Sequence, residues 1–155
     1  MKIRFISIES SRPDWAKKAF STYESKFNKS INIDWLGLKP VSRIRNYNAL
    51  DVVEKESNLL QSKVKKNEFV IALDKEGVSL STEKLRFQFD NWISSSKDIS
   101  IIIGGPDGLS QKLIKQSDFC WSLSQLTFPH SIVPVIVLEQ IYRVWSMTQN
   151  HPYHK

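Results

Sequence analysis

Between Lys2 and Ile8 apolar side chains occupy both parities of an extended chain, Ile3 and Phe5 on one and Ile6 and Ile8 on the other. A strand so patterned has to be covered on both faces, which places it inside a parallel sheet with helices above and below. The run Ile99–Ile103 reads as another apolar strand, and it ends at Gly104. These two segments constrain the chain more than its composition does.

Helical spacing fills the intervals. Pro13 and Asp14 open a segment in which Ala16, Ala19, Phe20, Tyr23 and Phe27 recur as one helix face. Ile31, Ile33 and Trp35 alternate as a second strand, and Leu50, Val53, Leu60 and Val64 mark the inner face of a second helix. Residues 68–73 read as a third strand. Residues 74–79, which hold Gly77, are expected to turn, after which Ser81 or Thr82 caps a helix with Leu85, Phe89, Trp92 and Ile93 inward. A short helix over 109–116, a fifth strand over 119–123 and a last helix over about 132–147 complete the pattern. Pro134 is tolerated in that helix because the first turn has spare N–H groups. The expected fold is α/β, a single domain over 1–155 with a mostly parallel sheet of about five strands flanked by helices. Ligands of such sheets sit at the carboxyl ends of strands, so residues 73–77, 104–108 and 124–130 are expected to converge on one site.

A chain of 155 residues is long enough to build a core without disulfides. Its single cysteine, Cys120, lies in an apolar run, forms no intrachain disulfide and reads as a small core residue. Residues 1–10 lack the apolar stretch and cleavage site of a secretory signal, and no segment approaches a membrane-spanning length, so a soluble cytoplasmic protein is expected. The net charge of +6 is uneven: residues 39–66 carry seven Lys or Arg against three acids. Arg43 and Arg45 beside Tyr47 form a basic patch with an aromatic, as contact with a phosphate backbone requires, although a solvated face has the same look.

Three strings carry the chemistry: GGPDGLS over 104–110, LSQLTFPH over 123–130 and a terminal HPYHK over 151–155. Gly104 and Gly105 remove two Cβ atoms where a strand exits, which admits a ligand to the backbone or permits positive φ. Neither GxxxxGK[ST] nor GxGxxG is present, which argues against nucleoside triphosphates and dinucleotides. The second string places Leu126, Phe128 and Pro129 in a loop, and a loop that apolar either anchors itself or wraps a ligand. An adenine ring suits it, sandwiched by side chains and read by backbone groups. His130 reads as a general base or a substrate contact, or else as a capping or packing residue near a helix start. His151 and His154 have HxxH spacing, but a chain end offers no rigid frame, and no metal is expected. No Ser/His/Asp or paired-carboxylate spacing supports a hydrolase.

Taken together, GGPDGLS, WSLSQLTFPH (121–130), LEQIYRVWS (138–146) and NHPYHK (150–155) resemble the RlmH family of bacterial methyltransferases, which act on N3 of a pseudouridine in helix 69 of 23S ribosomal RNA. The likeness covers essentially the whole chain, beginning with the first strand and the Pro13-Asp14-Trp15 helix start. It implies a SPOUT-type fold whose C-terminal part, within about 68–155, is threaded into a trefoil knot. It also implies S-adenosyl-L-methionine as cofactor, 23S rRNA in the assembled ribosome as partner, and a homodimer in which each site takes the C-terminal tail of the other subunit. Cofactor contacts carried over are Leu73, Gly104, Leu123, Ser124, Gln125, Leu126, Thr127 and Phe128. The residues matching family positions on the RNA or catalytic side are His130, Arg143, Tyr153 and His154. The family often has Arg where this chain has Pro134.

The implied chemistry makes an imide N3–H lose its proton as the nitrogen attacks a sulfonium methyl group. The resemblance suits Arg143 to stabilising the developing anion and His130, Tyr153 or His154 to relaying the proton. Two competing readings share the sequence: a ribosome-binding homologue without catalysis, and a knotted methyltransferase acting on another RNA such as tRNA.

Overall fold

The computed structural model describes residues 1–154; at His154 it describes the backbone alone. Five strands form one parallel sheet in the order β2-β1-β4-β3-β5, with β1 Lys2–Ile8, β2 Asn32–Leu38, β3 Phe69–Ser79, β4 Ile99–Ile103 and β5 Phe119–Ser122. The helices are α1 Asp14–Glu24, α2 Ala49–Gln61, α3 Thr82–Ser94, α4 Gln111–Gln116 and α5 Val133–Thr148, followed by a 3₁₀ turn at Pro152–His154.

The two parities of the central strands separate into two cores. Ile3, Phe5, Ile71, Ile101 and Ile103 face a layer built from α1, α3 and α5, while Ile6, Ile8, Ala72 and Ile102 face α2 and α4. The expected α/β class therefore holds, and β1 and β4 lie inside the sheet as their patterns require. Local caps set the helix starts. Asn48 Oδ1 accepts from the N–H groups of Leu50 and Asp51, and Ser81 and Ser110 hydroxyls accept from Lys84 and Leu113.

Several local expectations change. Residues 74–79 do not end the strand: β3 continues to Ser79, with a register shift against β5 between Leu73 and Val78. Gly77 is required by close approach, since a Cβ there would lie 2.8 Å from the Cys120 backbone. The inner face of α2 is Val52, Glu56, Ser57 and Leu60, whereas Leu50 is 82% exposed. Ile93 is exposed at the end of α3, whose buried residues are Leu85, Phe89 and Trp92. Among the described residues no helix is long and apolar enough to cross a membrane.

At the amino ends of the strands, away from the glycine loop, Arg4 and Glu68 form a buried ion pair at 3.0 Å. The Ser100 hydroxyl and the Lys65 N–H also donate to Glu68. Burial by itself pushes this carboxyl up, but the hydrogen bonds from Ser100, Lys65 and Arg4 pull its pKa below the ordinary value.

Candidate functional site

Because β4, β3 and β5 are neighbours, the loops at their carboxyl ends meet and line an open cavity of about 480 Å³. β3 supplies Leu73, Asp74 and Lys75. The loop after β4 supplies the wall from Gly104 to Leu109, and the loop after β5 supplies Leu123, Ser124, Leu126, Thr127, Phe128 and His130. Trp121 and Val133, at the start of α5, complete it. Leu126 is 72% exposed at this lip, an apolar side chain held where a ligand would cover it. Gln125 belongs to the same loop and is exposed, but it does not line the cavity.

The glycine loop is a turn closed by the Gly108 N–H donating to the Gly105 carbonyl at 2.9 Å. Positive φ falls on Gly108, at 83°, and a Cβ there would face open space. Gly104 and Gly105 are needed for a different reason. A Cβ on Gly104 would stand 2.7 Å from the Gly108 carbonyl oxygen, and one on Gly105 2.5 Å from Glu56 Oε2.

That Glu56 is fully buried and belongs to a network the sequence did not reveal. Arg43 donates to both of its oxygens, at 2.8 and 3.0 Å, and to Asp107 at 2.9 Å. The Tyr47 hydroxyl reaches Asp107 at 3.3 Å, and the Val41 N–H donates to Glu56 at 3.0 Å. The bonds to Glu56, outweighing burial, hold the Arg43 guanidinium even more firmly protonated than usual. Ser57, next on α2, accepts from the Ser110 N–H at 2.8 Å and so fixes the far end of the same loop. Arg43 is thus committed to two carboxylates, and the expected basic patch is reduced to the exposed Arg45 and its neighbours. The available signal was the spacing of Val52, Glu56 and Leu60, which puts an acid in the middle of an apolar helix stripe.

Arg143 and Tyr153 lie elsewhere. Arg143 pairs with Glu139 on α5, and the Tyr153 hydroxyl meets Glu139 at 3.1 Å and the Tyr23 hydroxyl of α1 at 3.3 Å. The Arg143 guanidinium sits 5.2 Å from the Tyr153 ring centre. Ten residues of helix separate Val133 at the cavity from Arg143, roughly 15 Å along the axis. Burial, then the hydrogen bonds with Tyr23 and Glu139, pushes the Tyr153 phenol well above its ordinary pKa, so it is neutral at physiological pH. The side chain of His154 lies outside what is described. Cys120 is half-buried rather than fully buried, and burial followed by the charge of Asp74 pushes its thiol up, away from thiolate chemistry. No cluster of metal-ligating side chains is found among the described residues.

A second cavity, of about 540 Å³, borders the first and shares Pro106 and His130 with it. The molecule is thus an α/β protein with paired cavities at the carboxyl end of a parallel sheet, one walled by a glycine turn and an apolar loop. The family model described as "Predicted SPOUT methyltransferase" matches residues 1–154, and the chain belongs to that family. Relatives named ribosomal RNA large subunit methyltransferase H are similar over all of this chain and 99% of their own length. That of Hydrogenovibrio crunogenus is 37% identical and that of Thioalkalivibrio sulfidiphilus 35%. Among solved structures, the SpoU methyltransferase AviRb from Streptomyces viridochromogenes, in complex with the cofactor AdoMet, is 10% identical with a TM-score of 0.46, covering 92% of this chain and 57% of that one.

Proposed function

We propose that the chain methylates N3 of a pseudouridine in 23S ribosomal RNA, with S-adenosylmethionine as donor bound in the cavity between the β3, β4 and β5 loops. The observation that carries this is the convergence of the three strand ends on one cavity in a member of a methyltransferase family. The walls suit the cofactor. The volume of about 480 Å³ falls in the range of small-ligand sites. Leu73, Leu123 and Phe128 offer apolar surface to an adenine ring, and the backbone from Gly104 to Gly108 is open to close approach. The Asp74 carboxylate on the wall complements a cation. When bound, S-adenosylmethionine supplies an electrophilic sulfonium methyl group.

The chain's own residues then hold the acceptor and manage its proton. His130 lines the cavity, and in this reading it receives the N3 proton. Tyr153 is neutral, so in this reading it orients by hydrogen bonding and takes no proton. Arg143 stabilises the imide anion. Since a single Arg side chain does not span about 15 Å of helix, Arg143, Tyr153 and His154 act in this reading on the cavity of a partner subunit in a homodimer. The knotted threading of the C-terminal part and the preference for the assembled ribosome belong to the same reading.

Purified protein incubated with labelled S-adenosylmethionine and ribosomes lacking the modification, followed by mass spectrometry of nucleosides, tests it. Appearance of 3-methylpseudouridine is the expected result. Label found only on tRNA, or cofactor binding with no methylated nucleoside at all, overturns it.

A further inference from the structure

The second cavity is walled by the end of β1 and the turn beyond it, by residues 40–43 after β2, and by Ser131 ahead of α5. Its position follows from sheet order: β4 lies between β1 and β3, so the loop after β4 has the first cavity on one side and the turn after β1 on the other. Pro106 and His130 stand at the boundary and line both.

We propose that this second cavity receives the acceptor nucleoside, an uncharged, hydrogen-bonding base on its ribose, presented by an unpaired segment of RNA. This rests on the methyl-transfer reading and adds where its substrate sits. Transfer between two ligands requires reacting atoms about 3–3.5 Å apart, and two cavities meeting along one short boundary supply that adjacency.

The chemistry of the walls selects the ligand class. Ser10, Ser11, Ser42 and Ser131 offer hydroxyls that both donate and accept. The charged groups of the wall are already compensated, Arg43 by Glu56 and Asp107 and Glu9 by Arg12. A free phosphate or carboxylate therefore meets no uncommitted Lys or Arg here, whereas a neutral imide finds partners. Pro13, Pro40 and Val41 add apolar surface for a ring. The cationic residues lie outside, with Lys39 and Arg45 exposed on the β2–α2 loop, where the phosphates flanking an inserted nucleoside would run. Sequence-specific RNA recognition commonly takes bases splayed from loops in this way.

Ser11→Trp and Ser42→Trp each fill the cavity from an exposed position. The expected result is unchanged affinity for S-adenosylmethionine by calorimetry, with kcat/KM on ribosomes lowered on the order of 100-fold. Ser42→Ala, which keeps the volume open, loses no more than about tenfold, the equivalent of one hydrogen bond. Wild-type turnover in both Trp variants overturns the proposal. A second readout needs no turnover: RNA carrying 4-thiouridine at the acceptor position is photocrosslinked to wild-type protein and the peptides are mapped. Crosslinks within residues 10–13 or 40–43 uphold the nucleoside site, and crosslinks confined to other segments sink it. Wild-type protein that crosslinks here yet methylates nothing refutes the proposed activity and leaves the nucleoside site standing.

Discussion

Glu56→Ala tests the network that ties the glycine loop to α2. The substitution removes both Arg43 hydrogen bonds, at 2.8 and 3.0 Å, and the one from the Val41 N–H at 3.0 Å. It also leaves a cavity beside Gly105, whose missing Cβ would lie 2.5 Å from Glu56 Oε2. Breaking a buried ion pair from one side costs about 3–5 kcal/mol. Arg43 keeps Asp107 at 2.9 Å and its side chain is 18% exposed, which places the cost at the lower end, about 3 kcal/mol. For a domain of this size that is a fall in Tm of about 6–12 °C. Glu56→Gln retains the volume and an acceptor for the Val41 N–H, so it is expected to cost less than Glu56→Ala. The double variant Arg43→Met/Glu56→Leu removes both charges and is expected to be more stable than Glu56→Ala. The assay is thermal unfolding by circular dichroism at neutral pH, paired with calorimetric titration of S-adenosylmethionine. A Tm for Glu56→Ala within 2 °C of wild type, a difference of less than about 1 kcal/mol, would refute the claim that this pair fixes the loop.

Gly104→Ala presses its Cβ against the Gly108 carbonyl oxygen at 2.7 Å, a backbone atom that moves only if the turn opens. Overpacking of about 1–3 kcal/mol is expected to appear as weakened S-adenosylmethionine binding in the same titration. Ser100→Ala deletes a donor to the buried Glu68 carboxylate, at a cost of about 1.5–3 kcal/mol at neutral pH. Glu68 has a folded-state pKa below its unfolded one, so the stability it contributes is present above the ordinary carboxylate range and is lost as pH falls through the depressed value. Urea unfolding at stepped pH should therefore show the gap between wild type and Ser100→Ala closing in acid. If Arg143 serves the partner's cavity, Arg143→Ala and Gly104→Val are each inactive alone. Mixing them as random dimers restores about one quarter of wild-type turnover, because half the dimers hold one intact site. No recovery on mixing counts against the shared site.

The parts legible in the sequence are those where neighbours along the chain decide the outcome. Two-sided burial of β1 and β4 follows from their own parities, and the strand-end loops followed from the α/β alternation. What escaped depends on partners far away in sequence. Apolar spacing alone points to Leu50, Val53, Leu60 and Val64 as the inner face of α2. The real face includes Glu56 and Ser57, buried because Arg43, thirteen residues back, and Ser110, fifty-three ahead, satisfy them. Arg43 looked like part of a cationic run for the same reason, since Asp107 lies sixty-four residues away. The glycine at 77 makes residues 74–79 read as a turn. Gly77 in fact answers the close passage of β5, which no local signal announces.

The sheet also divides its labour between its two ends. Arg4, Glu68 and Ser100 close the amino ends of β1, β3 and β4 with a buried, mutually hydrogen-bonded set. At the carboxyl ends the glycine turn and the apolar loop line open space instead, and the Arg43, Glu56 and Asp107 network braces the turn from behind. Arg43, Glu56 and Asp107 hold the turn from the α2 side, so its backbone from Gly104 to Gly108 stays available on the cavity side. Because β1 and β3 flank β4, the same braced turn forms a wall of both cavities. A substitution that loosens it is therefore expected to weaken the cofactor and the RNA acceptor together, whereas filling the serine-lined cavity affects the acceptor alone. That difference separates a brace from a binding wall without reference to the rate of methyl transfer.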